Sequence, residues 1–328
     1  MSCPASAFAM SPDGSPVPVT FLAPATTGGQ PPVTVTCSAA SGQTFPLGSS
    51  IVTCTATDAL SRQASCSFNV TVTALPHVSK TRFLAFGDSI TTGRCGSGGQ
   101  ECPSDAYPVW LKNLLLERYV TQSFTVTNVG IPGEVASDDI AEPLGLLAGQ
   151  DRLGPELSNR NPEVLLLMEG SNDLFHLQHD PEDAAETAAG ALDRMVTIAQ
   201  DLGVTVLLST IPPQRSPAPA GTPNRDAVAA NIPNANALIR AVAASRGVAL
   251  VDVYEAMVND IPTLISADNL HPTPAGLHVI GETFFEVIMN TFDDTPVGLP
   301  AGLSSRPSGL LQSPWPSSPE MSRRPRRR

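Results

Sequence analysis

The 328-residue chain predicts a doubly wound α/β domain, a parallel sheet with helices on both faces, preceded by a small β-sandwich. Three observations carry that prediction. Before about residue 76 the sequence is rich in Thr, Val, Ser, Pro and Gly and poor in charge. Beyond residue 80, apolar β-type runs alternate with helix-like stretches, the pattern of a sheet wound with helices. Two of the runs, EVLLLMEG (163–170) and VTVLLSTIP (204–212), are apolar at nearly every position, as strands buried on both faces should be. A chain of this length has room for two domains and a substantial core.

In the first region, PVTVTCSA (32–39), SSIVTCTATD (49–58) and CSFNVTVTA (66–74) alternate apolar and polar residues between turn signals, the period of half-buried strands. The six cysteines are Cys3, Cys37, Cys54, Cys66, Cys95 and Cys102, with no Cys-x-x-Cys pair and no zinc spacing. An even set scattered through strand and loop sequence predicts disulfides and an oxidising, secreted or extracellular location. Cys95 and Cys102 are placed to close a short glycine-rich loop, which leaves four for the sandwich, whose thin core needs them.

The pattern Cys37, Phe45-Pro46-x-Gly48, Cys54-x-Ala56-x-Asp58, Cys66 and Phe68 resembles the hyalin repeat, or HYR, module. The resemblance implies an immunoglobulin-like extracellular domain over residues 1–76, a spacer or adhesive unit without chemistry of its own. Within that module, position pairs Cys3 with Cys66 and Cys37 with Cys54. Ser61 and Arg62 stand where the module usually has a Gly-Asn turn, which predicts a looser turn there.

Pro76 interrupts strand continuation, so residues 77–80 read as a linker. In the second domain, residues 81–294, the remaining strand candidates are RFLAFG (82–87), FTVTNVG (124–130) and VALVDV (248–253). Helices are expected at about 104–119, 182–202, 224–246 and 274–291. Residues 295–328 are Pro, Ser, Gly and Arg without amphipathic period and are expected to be disordered.

In such sheets function gathers at the carboxyl ends of the strands. The first ends in Gly87-Asp88-Ser89, the second in NVGIPGE (128–134), the third in GSND (170–173), and a late loop carries DNLHPT (268–273). Singly, each reads as a cap or turn. Together they suit acyl transfer. A serine hydroxyl is a weak nucleophile that needs a base within reach, and the imidazole of His271 is a side chain suited to that role. Asp268, three residues earlier, can sit beside the imidazole and stabilise its charged form. The Ser89 amide, the Gly133 amide and the Asn172 side chain are candidate donors to an oxyanion.

The blocks FGDSITTG, NVGIPGE, GSND and DNLHPT, in that order, resemble those of the SGNH hydrolase superfamily, the GDSL esterases and lipases, over about residues 81–290. The resemblance implies a three-layer α/β/α flavodoxin-like fold with a catalytic triad of Ser89, Asp268 and His271. It also implies an oxyanion hole of Ser89, Gly133 and Asn172, and no cofactor. Ile90 replaces a frequent leucine and threatens no catalytic group.

A net charge of −12 argues against nucleic acid as a partner, and no apolar stretch reaches the ~20 residues of a membrane span. Met1 is followed by SCPASAF rather than a charged n-region, so a secreted chain of this sequence is expected to have lost its signal peptide or to begin inside a longer protein. His176 and His179 have i, i+3 spacing but no evident carboxylate or cysteine partner for a metal. The proline-rich segment 211–223 is expected to project toward the same rim. The functional expectation is a serine esterase acting on short-acyl esters such as acetylated glycans. The alternatives are a lysophospholipase or thioesterase and, in another class, an adhesive protein that contacts polysaccharide or cell surface through residues 1–76.

Overall fold

The computed structural model describes residues 1–96, 99–217 and 225–296. The expected disorder of the tail beyond residue 296 and the tip of the proline-rich segment, 218–223, lie outside them. The described residues divide into two compact units, Met1–Phe8 with Pro18–Val72, and Ala9–Val17 with Thr73–Pro296.

Residues 1–74 hold a small set of β strands. Strands β1 (Ala7–Ser11), β2 (Thr34–Cys37), β3 (Gly48–Thr57) and β4 (Gln63–Ala74) form one sheet in the order β1-β4-β3-β2, and Val17–Pro18 pairs with Thr44–Phe45. The predicted alternation is present: Val52, Cys54 and Ala56 of β3 and Phe68, Val70 and Val72 of β4 are buried. Antiparallel register puts Cys37 opposite Cys54, and the disulfides are Cys3–Cys66 and Cys37–Cys54. The turn expected to be loose is instead tied down. Ser61 takes a φ of 59°, and the Asp58 carboxylate accepts from the backbone amides of Gln30, Leu60 and Arg62 and from the Arg62 guanidinium. These donors hold Asp58 well below the usual carboxylate range, the Gln30 amide foremost.

The second unit carries five parallel strands, β5 (Arg82–Gly87), β6 (Thr125–Asn128), β7 (Val164–Met168), β8 (Thr205–Ser209) and β9 (Ala249–Val251), in the order β6-β5-β7-β8-β9. Numbered within the unit this is 2-1-3-4-5, the flavodoxin-like winding, whose direction reverses beside its first strand. The helices are α1 (Ser89–Thr92), α2 (Tyr107–Arg118), α3 (Asp138–Leu144), α4 (Gly149–Arg160), α5 (Ser171–His176), α6 (Pro181–Asp201), α7 (Asp226–Arg246), α8 (Val253–Met257), α9 (Ile261–Leu264) and α10 (Pro274–Phe292).

Strand period 2 sends successive side chains to opposite faces. Leu84, Phe86, Leu165, Leu167, Val206 and Leu208 pack with α4, α6 and α7, whereas Phe83, Ala85, Val164, Leu166 and Leu207 pack with α2 and α10. The unbroken apolar runs are explained by these two cores. The long helices carry their signals in sequence: the Asp180 and Thr273 side chains cap α6 and α10, each followed by proline at the first helical position. Helices α3 and α4 were not predicted. Pro143 and the Gly149, Gly154 and Pro155 set weaken their intrinsic propensity, and burial of Leu153 and Leu157 overrides it.

Residues 77–80 are held rather than slack. Val78 is buried, exchanges hydrogen bonds with the Gln122 side chain at 2.9 and 2.8 Å, and bridges to Asp293. Among the described residues no helix is long and apolar enough to cross a membrane.

Candidate active site

Strand β5 ends where Gly87 meets the carboxyl end of β7. A Cβ on Gly87 would stand 2.0 Å from the Met168 carbonyl oxygen, so only glycine lets the chain turn there. Asp88 then caps α1, its Oδ1 accepting from Ile90 N at 2.9 Å, and Ser89 follows as the first residue of the helix, 7% exposed. The sequence therefore delivers a hydroxyl to the rim by an apolar strand, a glycine and a capping aspartate.

The loop after α9 supplies the imidazole. Its Asp268 Oδ1 accepts from the amides of Leu270 (3.1 Å) and His271 (2.9 Å), and Ser266 Oγ lies 2.7 Å from the same oxygen. Asn269 takes the left-handed conformation at φ 64°, which asparagine tolerates better than most residues. The turn so formed directs His271 Nδ1 to 2.6 Å from Asp268 Oδ2 and Nε2 to 3.0 Å from Ser89 Oγ. Burial pushes the Asp268 carboxyl up, but the hydrogen bonds from His271, Ser266 and the two amides outweigh it and bring it down to about 2. An ionised carboxylate only accepts, so Nδ1 presents a proton to Asp268 and Nε2 faces Ser89 Oγ.

The third block closes the rim. Asn172 Nδ2 donates to the Glu134 carbonyl at 2.8 Å and stands 3.4 Å from Asp88 Oδ2. Gly130 lies so close to α1 that a Cβ would be 2.6 Å from Thr92 N and 2.8 Å from the Asp88 carbonyl oxygen. Gly133, between Gly130 and Glu134, is exposed with φ 80°, and open space lies where its Cβ would be. Ser89, Asp268 and His271 are thus hydrogen-bonded in series, with Asn172 and the Gly133 segment held on the same rim. Position in the motif marks these five as candidates; the contacts of Asp88 with Asn172 and of Ser266 with Asp268 carry no such mark. A serine two residues before an aspartate in a loop is the signal that could have found the latter.

Beneath the rim lies a buried acidic group. Glu134 makes a bidentate ion pair with Arg152 at 2.7 and 2.5 Å, and Arg152 stacks over Phe86. Asp173 accepts from the amides of Ala136 and Ser137. Burial raises Asp88 and Asp173 to about 6. It raises Glu169, whose carboxyl faces Glu134, well above its ordinary range.

The described part of the proline-rich segment reaches this rim: Gln214 Nε2 donates to Ser171 Oγ at 3.1 Å and Arg215 N to the Asn269 carbonyl at 3.0 Å. A cavity of about 560 Å³ opens beside it, lined among others by Pro213, Arg215, Tyr254 and Pro262, with none of Ser89, Asp268 and His271 in its walls. His176 and His179 are exposed, and among the described residues no group of three or more His, Cys, Asp or Glu side chains is placed to hold a metal ion.

Residues 85–279 match the family model described as the GDSL-like Lipase/Acylhydrolase family, and residues 1–72 match that of the HYR domain. A comparison with curated proteins finds no match. Among solved structures, a carbohydrate acetylesterase from Sinorhizobium meliloti is 18% identical with a TM-score of 0.51, covering 65% of this chain and 100% of its own. An aryl esterase from M. smegmatis is 21% identical with a TM-score of 0.52, covering 64% of this chain and 99% of its own. Both share the fold of the second unit.

Proposed function

The chain belongs to the GDSL-like lipase and acylhydrolase family and is a serine esterase, and from that premise we propose that Ser89, His271 and Asp268 are its catalytic triad and that it cleaves short-acyl esters of polar alcohols such as acetylated glycans. The observation that carries the proposal is the unbroken series Ser89 Oγ, His271 Nε2, His271 Nδ1 and Asp268 Oδ2, at 3.0 and 2.6 Å.

Ser89 Oγ attacks the ester carbonyl while its proton passes to His271 Nε2, and Asp268 stabilises the imidazolium. The tetrahedral oxyanion is held by the amides of Ser89 and Gly133 and by Asn172. The 2.8 Å bond to Glu134 fixes the plane of the Asn172 amide and leaves its second hydrogen in only the long contact to Asp88. His271 then protonates the departing alcohol. Water, activated by the same imidazole, attacks the acyl-serine, and the acid leaves.

Polar side chains at the same strand ends, Asn172 in contact with Asp88 and Gln214 with Ser171, support a small acyl group on a polar alcohol. The three disulfides support an extracellular location, with residues 1–76 as a spacer or glycan-contacting module, 77–80 as linker and 81–294 as the catalytic domain. A second reading, a longer-chain ester such as a lysophospholipid, is favoured by exposed Ile131, two residues before Gly133, and by exposed Leu144, Leu146 and Leu147 at and just beyond the end of α3. Hydrolysis of p-nitrophenyl esters from acetate to palmitate, with Ser89→Ala beside the wild type, separates these. Serine-dependent turnover that falls with chain length supports the first reading, and turnover that rises supports the second. Substantial turnover by pure Ser89→Ala removes the mechanism.

A further inference from the structure

Between α1 and α2 the chain makes a small hairpin in which Arg94–Cys95 pairs with Gln100–Glu101 and the Cys95–Cys102 disulfide closes the loop. One side of it is anchored beside the Ser89 corner: Cys95 is 1% exposed and packs in the same core as Ile90, Tyr107 and Ile265, and Cys102 N donates to the Gly93 carbonyl at 2.9 Å. The other side meets the histidine loop. Gly96 N lies 3.3 Å from the Pro272 carbonyl oxygen. A Cβ on buried Gly99 would stand 3.0 Å from Cε1 and 3.2 Å from Nδ1 of His271, so the hairpin backbone rests directly against the imidazole. Nδ1 and Nε2 are each held by one hydrogen bond, and Gly99 covers the ring carbon between them.

We propose that the Cys95–Cys102 hairpin is a positioning clamp for His271, and that turnover therefore depends on the oxidation state of this disulfide. The inference rests on His271 being the base. Strands of two residues do not make a hairpin that is stable alone in water, so the crosslink supplies the constraint that keeps Gly99 against the ring. Without it the ring can tilt out of line with Ser89 Oγ, and a misplacement of about 1 Å costs up to ~100-fold in rate. A dithiol reductant would act by thiolate attack on the partly exposed Cys102 sulfur, releasing Cys95. The second thiolate of the reductant then attacks the mixed disulfide. Cys95 and Cys102 gain two electrons and two protons, and the dithiol becomes a cyclic disulfide.

The test is the full-length Cys95→Ser/Cys102→Ser variant, which keeps Cys3–Cys66 and Cys37–Cys54. The expected result is a fall in kcat of ~10- to 100-fold with KM within about twofold, because a misaligned base weakens the chemical step and not substrate binding. Dithiothreitol should lower wild-type kcat to a similar level and leave the variant unchanged. Wild-type kcat in the folded variant, or in wild type whose Cys95–Cys102 bond is shown reduced by thiol labelling and mass spectrometry, would overturn the inference. The labelling experiment also decides it if the variant does not fold. His271→Ala keeps the two readings apart: if it is inactive while the cysteine variant keeps its rate, the clamp alone fails, and if it stays active the triad fails as well.

Discussion

The side-chain amide of Asn172 donates to the main-chain carbonyl of Glu134 at 2.8 Å, and so binds the block after β7 to the block after β6. Its longer contact to Asp88, 3.4 Å, brings in the corner after β5. One amide therefore spans all three strand ends at the point where the winding reverses. We expect Asn172→Ala to lower kcat by ~10²- to 10³-fold, the cost of one oxyanion donor. Asn172→Asp should be no better, because its acceptor oxygen would face the Glu134 carbonyl. Steady-state kinetics on an activated acetate ester checks both, and near-wild-type kcat in the alanine variant would take Asn172 out of the oxyanion hole.

Asp268→Asn tests the tautomer. The carboxylate accepts at both oxygens, so His271 Nδ1 must carry the proton. An amide in its place can present a hydrogen to Nδ1 and force the proton onto Nε2, the nitrogen that must accept from Ser89. A loss of ~10⁴-fold in kcat is expected, with thermal stability little changed. Ser266→Ala, which removes a hydroxyl 2.7 Å from both Asp268 Oδ1 and the His271 carbonyl oxygen and leaves the two amides, should cost ~1–3 kcal/mol of stability and less than tenfold in kcat.

Much of this site is legible in sequence because its parts are local. Asp268 and His271 lie three residues apart, and Gly87, Asp88 and Ser89 are consecutive, so turn geometry alone places them. The two-sided burial of β7 and β8 is likewise written in VLLLM and VLLS, whose every side chain is covered. What could not be read depends on long-range packing. Helix α4 forms through the burial of Leu153 and Leu157 against a glycine- and proline-containing sequence. Gly99 meets His271 across 172 positions of chain, a contact that no periodicity encodes. The Asp58 turn is held by long-range contacts of the same kind: one carboxylate collecting donors from Gln30 to Arg62 compensates for the missing Gly-Asn pair.

The buried carboxyl of Glu169 makes stability fall as pH rises. Its ordinary value is 4.5, and burial, then the charge of Glu134, raise it in the folded chain. Between those two values the folded state binds more protons than the unfolded state, so the stability it contributes to folding is greatest below 4.5 and declines upward. Asp88 and Asp173, raised to about 6, act in the same direction between about 4 and 6. Glu169→Gln removes the titration and keeps the shape. The variant should melt higher than wild type at pH 8, and the difference should shrink as pH approaches 4.5. Thermal scans across that range check it, and a difference independent of pH would mean that Glu169 stays ionised or is hydrated.

Two glycines three residues apart should fail differently when replaced by alanine. At Gly130 the new methyl meets backbone: Thr92 N at 2.6 Å, the Asp88 carbonyl oxygen at 2.8 Å and Thr91 C at 3.0 Å. That backbone is the corner that carries Ser89, and it cannot rotate aside as a side chain can. Overpacking of this kind costs ~1–3 kcal/mol, and here the displacement falls on Ser89, the proposed nucleophile, so kcat should drop by ~10-fold or more. At Gly133 the methyl meets nothing within 4 Å, but φ is +80°, which costs a non-glycine residue ~1–2 kcal/mol. Relief of that strain would turn the amide away from the site. Gly133→Asn, which tolerates the left-handed region better, should recover much of the lost rate, whereas Gly130→Asn should be worse than Gly130→Ala. Paired melting and kcat measurements on the four variants distinguish a steric from a conformational requirement. Equal rescue at both positions would show that neither contact acts as described.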